Sequence, residues 1–224
     1  MRGWTLLPVA ASTRRRAAEA SSLPVGRWLL LVASAVILGV TLAPAPASAQ
    51  GRMRSAEARL LREAAARESR GDYVGAEEAL RRLLDESPGS SGGIFALERV
   101  LRAQGEVVEL LPAIDAYLAV DPGSPGVRSL GLRVLADVDS LDALRADARE
   151  WIERDPREPV AYREVARVYE DVFGPDAAME ILSQGRDAVG SSDAFALEIG
   201  DLLVESGDRA GAAREWAAAV GDDG

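Results

Sequence analysis

The chain has 224 residues without a cysteine, a histidine or a lysine, so all 26 basic groups are arginine. That excludes disulfides, thiolate nucleophiles and cysteine-containing zinc sites, and removes the commonest general base and transition-metal ligand. Hydrophobic residues reach 48% but aromatics only 5%, a helix-forming composition, and the net charge is −10.

The first predicted element is an export signal over residues 1–49. Arg14, Arg15, Arg16 and Arg27 precede an apolar run from Trp28 to Ala43, broken only by Ser34, Gly39 and Thr41. At about 16 residues, the run is nearer a signal core than a bilayer span of about 20. Ala47 and Ala49 then supply the small-x-small pattern of a signal peptidase site, so cleavage is expected between Ala49 and Gln50. The alternative is an uncleaved membrane anchor. Positive charge ahead of the run leaves the remainder outside the inner membrane in either case, periplasmic or extracellular. Thr13 to Arg16 only weakly resembles a twin-arginine signal, and translation from Val25 would leave a signal of ordinary length.

Residues 1–49 hold five arginines and one acid, which leaves 21 arginines against 35 acids in the remainder, a net of −14. Such a field repels nucleic acid and anionic lipid. Membrane attachment is therefore expected only through an uncleaved signal.

After a lead-in over 50–56, a 34-residue period begins. Gly71, Gly105, Asp139, Phe173 and Gly207 keep that spacing, as do Pro88, Pro122, Pro156 and Gly190. Ala76, Leu110, Leu144, Ala178 and Ala212 form a third column, and Leu80, Ile114, Ala148, Leu182 and Trp216 a fourth. The units run 57–90, 91–124, 125–158, 159–192 and 193–224. The turn glycines end each first helix, since glycine accepts the left-handed conformation required there. Asp72, Ser140 and Asp208 are placed to cap the second helices. Pro175 suits the first position of a second helix, and Pro125 and Pro159 open first helices. Leu110 and Leu144, in place of alanine, predict wider helix pairs in units two and three, and Pro112 predicts a kink or a late helix start there.

These columns resemble the tetratricopeptide repeat (TPR) family. Tyr162, Ala166, Tyr169, Ala178 and Leu182 match its pattern in unit four, and Gly71, Tyr73, Ala76, Leu80 and Pro88 match it in unit one. Glu98 and Arg128 depart from it, at columns usually small or apolar, and unit three lacks the turn glycine. The resemblance covers about 57–224. It implies an all-α fold, a right-handed superhelical solenoid of about five helix-turn-helix units whose first helices line a concave, peptide-binding groove.

On the groove-facing columns stand Phe95, Arg99, Arg102, Arg133, Arg163 and Arg167. One reading is a cationic track that grips the carboxylates of an acidic protein or peptide partner, since a guanidinium fork binds carboxylate bidentately. The other is local pairing on each helix: Arg102 with Glu106, Arg133 with Asp137, Arg167 with Asp171. Neighbouring acids such as Glu77 and Glu78 diverge by about 100° on a helix and do not converge on one atom. No phosphate loop, nucleophile elbow or calcium loop is present, so no catalytic residue, metal site or cofactor is expected.

The fifth unit is two residues short of the period. Trp216 and Val220 there are expected either to meet a second copy, giving a homodimer, or to be covered by further chain, the sequence being the front of a longer array. The function expected is that of an exported, non-catalytic scaffold for protein–protein interaction in the bacterial cell envelope, with structural self-association as the alternative.

Overall fold

The computed structural model describes residues 47–220; the expected signal segment over 1–46 and residues 221–224 lie outside it. Ten α-helices and one 3₁₀ turn follow in order: α1 (Ala47–Glu68), α2 (Tyr73–Glu86), α3 (Ser91–Gln104), the turn Val107–Leu110, α4 (Leu111–Val120), α5 (Pro125–Asp137), α6 (Leu141–Arg154), α7 (Pro159–Phe173), α8 (Pro175–Val189), α9 (Ala196–Glu205) and α10 (Arg209–Val220). No strand occurs among the described residues. The fold is an all-α solenoid of helix-turn-helix units. None of these helices is long and apolar enough to cross a membrane.

Helix boundaries follow the turn chemistry. Gly71, Gly105 and Gly207 have φ of 76°, 76° and 88°, and Asp139 takes the same conformation at 55° where unit three lacks glycine. Asp72 accepts from the Gly75 N–H at 3.0 Å and Asp208 from the Gly211 N–H at 2.8 Å, capping α2 and α10. Ser140 stands at the corresponding place before α6, but its hydroxyl makes no cap. Pro112 falls in the first turn of α4, which starts late, after the 3₁₀ turn. Helix α9 begins at Ala196 rather than near 193, because Phe195 turns left-handed at φ 60° and sinks its ring into the core.

Helix pairing departs from uniformity at the two leucine positions. Helices α1 and α2, α7 and α8, and α9 and α10 run backbone to backbone over Ala76, Ala178 and Ala212, which are buried. Helix α3 meets the second half of its unit mainly through the 3₁₀ turn, and α4 packs on α5 instead. Leu110 and Leu144, both fully buried, hold these helices apart. Two apolar clusters result, and both draw on α5: Val127, Leu130 and Val134 enter the first, Leu132 and Leu135 the second. Helix α5 is therefore buried on nearly every face, as the central element of such an array must be. Each such side chain contributes roughly 1.5–3 kcal/mol on burial.

Candidate protein-interaction surfaces

The first helices of successive units present their polar residues to one another. Glu68 of α1 accepts two bonds from Arg99 of α3, at 2.6 and 2.7 Å. Arg102 of α3 reaches Asp137 of α5 at 2.6 Å. Ser129 of α5 donates to Glu164 of α7 at 2.7 Å, and Arg163 of α7 pairs with Glu198 of α9. The last two contacts are one rung repeated after 34 residues. The chain's period thus reproduces itself as a polar ladder between units.

This ladder decides what each expected groove arginine does. The hydrogen bonds between Arg99 and Glu68 hold the Glu68 carboxyl below the usual carboxylate range and the Arg99 guanidinium above its own. Arg102 pairs with Glu98 at 3.0 Å as well as with Asp137, and not with Glu106, because Gly105 ends the helix before Glu106. Arg167 takes Glu164 at 2.7 Å rather than Asp171. Arg163 also lies over the Phe195 ring, 5.7 Å from its centroid. Arg133 differs from the rest. Arg102 holds Asp137, and Arg133 donates to the Ser129 hydroxyl at 3.3 Å, so it makes no direct ion pair among the described residues.

Arg133 also lines a cavity of about 300 Å³ between α3, α5 and α7. Phe95, which is 39% exposed, forms one wall, with Pro125 and Val160 supplying apolar surface and Glu164 the acid. A Cβ on Gly126 would touch the Phe95 ring at 3.4 Å, so the small residue there sets the depth. The structure therefore brings Phe95 and Arg133 of the six groove residues into one pocket. Arg99, Arg102, Arg163 and Arg167 stand outside it, each already paired. The lining residues Pro125 and Val160 escaped sequence reading because helix-opening positions read as structural punctuation.

Arg128 occupies an apolar column, as its sequence position implies, and keeps its charge there. Its side chain is 9% exposed, its Nε donates to the Pro122 carbonyl at 2.8 Å, and Glu150 lies 3.9 Å away. Burial, with Arg154 nearby, pulls its pKa down.

At the far end, Trp216 is 39% and Val220 78% exposed. One edge of the Trp216 indole lies on Gly200 of α9, where a Cβ would come within 2.4 Å of the indole nitrogen. Of the expected cleavage residues, Ala47, Ala49 and Gln50 stand in the first turn of α1. Among the described residues, no group of acids is disposed to hold a metal.

No family model matches the chain, and no curated protein matches it. Solved structures do resemble it. A MamA crystal structure is 16% identical with a TM-score of 0.44, over 74% of this chain and 90% of that one. PilF of Pseudomonas aeruginosa is 18% identical with a TM-score of 0.46, over 74% and 76% of the two chains. A TPR protein of Thermus thermophilus is 18% identical with a TM-score of 0.44, over 72% and 88%.

Proposed function

We propose that this chain is an exported, non-catalytic scaffold of the bacterial cell envelope, and that it holds an extended segment of a partner protein against its first helices. The observation that carries this reading is the pocket between α3, α5 and α7. There an exposed aromatic, Phe95, stands beside Arg133, which makes no ion pair among the described residues and reaches Glu164 only through the Ser129 hydroxyl. A partner carboxylate would bind Arg133 while a neighbouring apolar side chain covers Phe95. The signal-like segment ahead of Gln50 supports export, with removal after Ala49.

A photo-crosslinking residue at position 95, installed in the intact cell, tests the reading. A discrete adduct with one envelope protein is expected, and Arg133→Glu should abolish it without changing the circular dichroism spectrum. An adduct unchanged by that reversal would defeat the groove assignment. Fractionation of the same cells, with an intact mass starting at Gln50, tests export.

A second reading has its own observation. Leu197 and Val204, seven residues apart on α9, and Trp216 and Val220, four apart on α10, are all exposed apolar residues. Two such stripes at one end of the array suit contact with a second copy of the chain.

A further inference from the structure

Away from the first-helix ladder, a cleft of about 340 Å³ opens where α6 and α8 both rest on α7. Its apolar surface includes Ile152, Val165 and Ile181. Five polar groups border that surface: Arg145, Arg149 and Glu153, spaced four residues apart on one face of α6, Tyr169 of α7 and Gln184 of α8.

The two arginines and the tyrosine are short of partners. Among the described residues Arg149 has no hydrogen bond or ion pair, and the Tyr169 hydroxyl has no hydrogen bond. Arg145 stacks on Phe173, 4.4 Å from the ring centroid, and its only ion pair among the described residues is a 3.4 Å contact with the fully exposed Asp142. Phe173 in turn meets Tyr169 edge to face at 5.0 Å. The stack Arg145–Phe173–Tyr169 holds one guanidinium in place, with N–H donors still unfilled. Four of the five groove arginines, by contrast, are consumed in ion pairs.

The surrounding acids do not close the site. Glu153 lines the cleft and makes no ion pair among the described residues, and Glu180 of α8 acts on Tyr169 from beside it, behind the two arginines in strength. The lining residues keep a net positive charge within a protein that is strongly acidic overall. The Tyr169 hydroxyl is protonated at neutral pH, as a phenol is, and burial raises its pKa further.

The geometry points to this cleft as a second docking site, on the second-helix side of units three and four, for an acidic segment of a protein partner. A carboxylate would sit between Arg145 and Arg149 within reach of the Tyr169 hydroxyl, and the next apolar side chain would cover Ile152 and Ile181. Charge complementarity selects that occupant: the guanidinium fork matches carboxylate, and a cavity this size takes one or two side chains. The site is independent of the groove reading and survives its failure.

Calorimetric titration of the purified protein with two capped peptides, Glu-Leu-Glu-Leu and Gln-Leu-Gln-Leu, tests it. The glutamate peptide should bind at least tenfold more tightly than the glutamine peptide. Arg149→Glu should cut that affinity tenfold or more, Arg149→Lys by only a few-fold, and Arg133→Glu in the groove by less than twofold. Circular dichroism and thermal melts identify any variant that has lost its fold, and the lysine variant then carries the comparison. Equal binding of the two peptides, no binding by the wild type, or loss on Arg133→Glu instead of Arg149→Glu would overturn the proposal.

Discussion

Arg186 of α8 and Glu215 of α10 meet in a two-pronged ion pair at 3.0 and 2.6 Å, each side chain only 22% exposed. The same guanidinium donates from Nε to the Ala194 carbonyl at 2.9 Å, so it also pins the turn leading into α9. Its pKa is raised, chiefly by the hydrogen bond to Glu215. Units four and five are thereby tied by a charge pair as well as by apolar contact.

Breaking that pair should loosen the last unit before the rest. Arg186→Met leaves Glu215 half-buried and unpaired and frees the Ala194 carbonyl, at a cost of about 1–2 kcal/mol. In a chain of this size that lowers Tm by roughly 2–8 °C. Hydrogen exchange should quicken selectively in α9 and α10. Uniform acceleration through α1 and α2 would show instead that the array unfolds as one block.

Gly185 is the second sensitive point. A Cβ there would stand 2.6 Å from Tyr162 Cγ and 2.8 Å from Phe195 Cε2. Tyr162 cannot retreat, since its ring is buried and its hydroxyl donates to the Pro156 carbonyl at 3.0 Å. Gly185→Ala should therefore destabilise by about 1–3 kcal/mol, even though alanine favours a helix by up to about 1 kcal/mol. Urea denaturation checks the sign: a higher midpoint would mean the rings yield.

How far the sequence carried can be read from these residues. The 34-residue columns located the left-handed turns at Gly71, Gly105 and Gly207, and the caps at Asp72 and Asp208, because turn chemistry is local. Leu110 and Leu144 foretold the wider helix pairs, since residue volume sets helix separation. The ion-pair partners were not legible. Arg102 chooses Asp137 and Arg99 chooses Glu68 across units, and such choices depend on inter-helix distances that periodicity does not supply. Nor was the Arg133 pocket or the α6–α8 cleft, each of which exists only where three helices converge.

Trp216 bears on assembly. With the indole edge on Gly200 and 39% of the residue exposed, its outer face is free to meet a second copy. Sedimentation velocity should show a concentration-dependent dimer if the α9–α10 end self-associates, and Trp216→Glu should return it to monomer. A wild type that stays monomeric at high concentration removes the self-association reading.

The acidic surface gives a pH dependence of defined sign. Burial raises the Glu170 pKa, with Glu205, Asp171 and Asp201 adding like charge, and burial raises that of Asp147, with Glu150 and Asp115 adding theirs. A carboxyl raised on folding binds its proton more tightly in the native state. Its contribution is therefore present below the unfolded pKa and is lost as pH rises through the folded one. At neutral pH both groups oppose folding, and Glu170→Gln and Asp147→Asn should each raise stability. Solvent screening keeps the gain below about 1 kcal/mol. Glu68 behaves oppositely: its pKa is lowered mainly by the Arg99 hydrogen bond, so its contribution holds above the ordinary carboxylate range and fades as pH falls through the folded value. Melting curves from pH 7 to pH 3 should accordingly show the gain from Glu170→Gln shrinking toward zero on acidification. The loss from Glu68→Gln should shrink over a range displaced to lower pH. Parallel curves for Glu170→Gln and the wild type would mean that the Glu170 carboxyl titrates alike in the folded and unfolded chain.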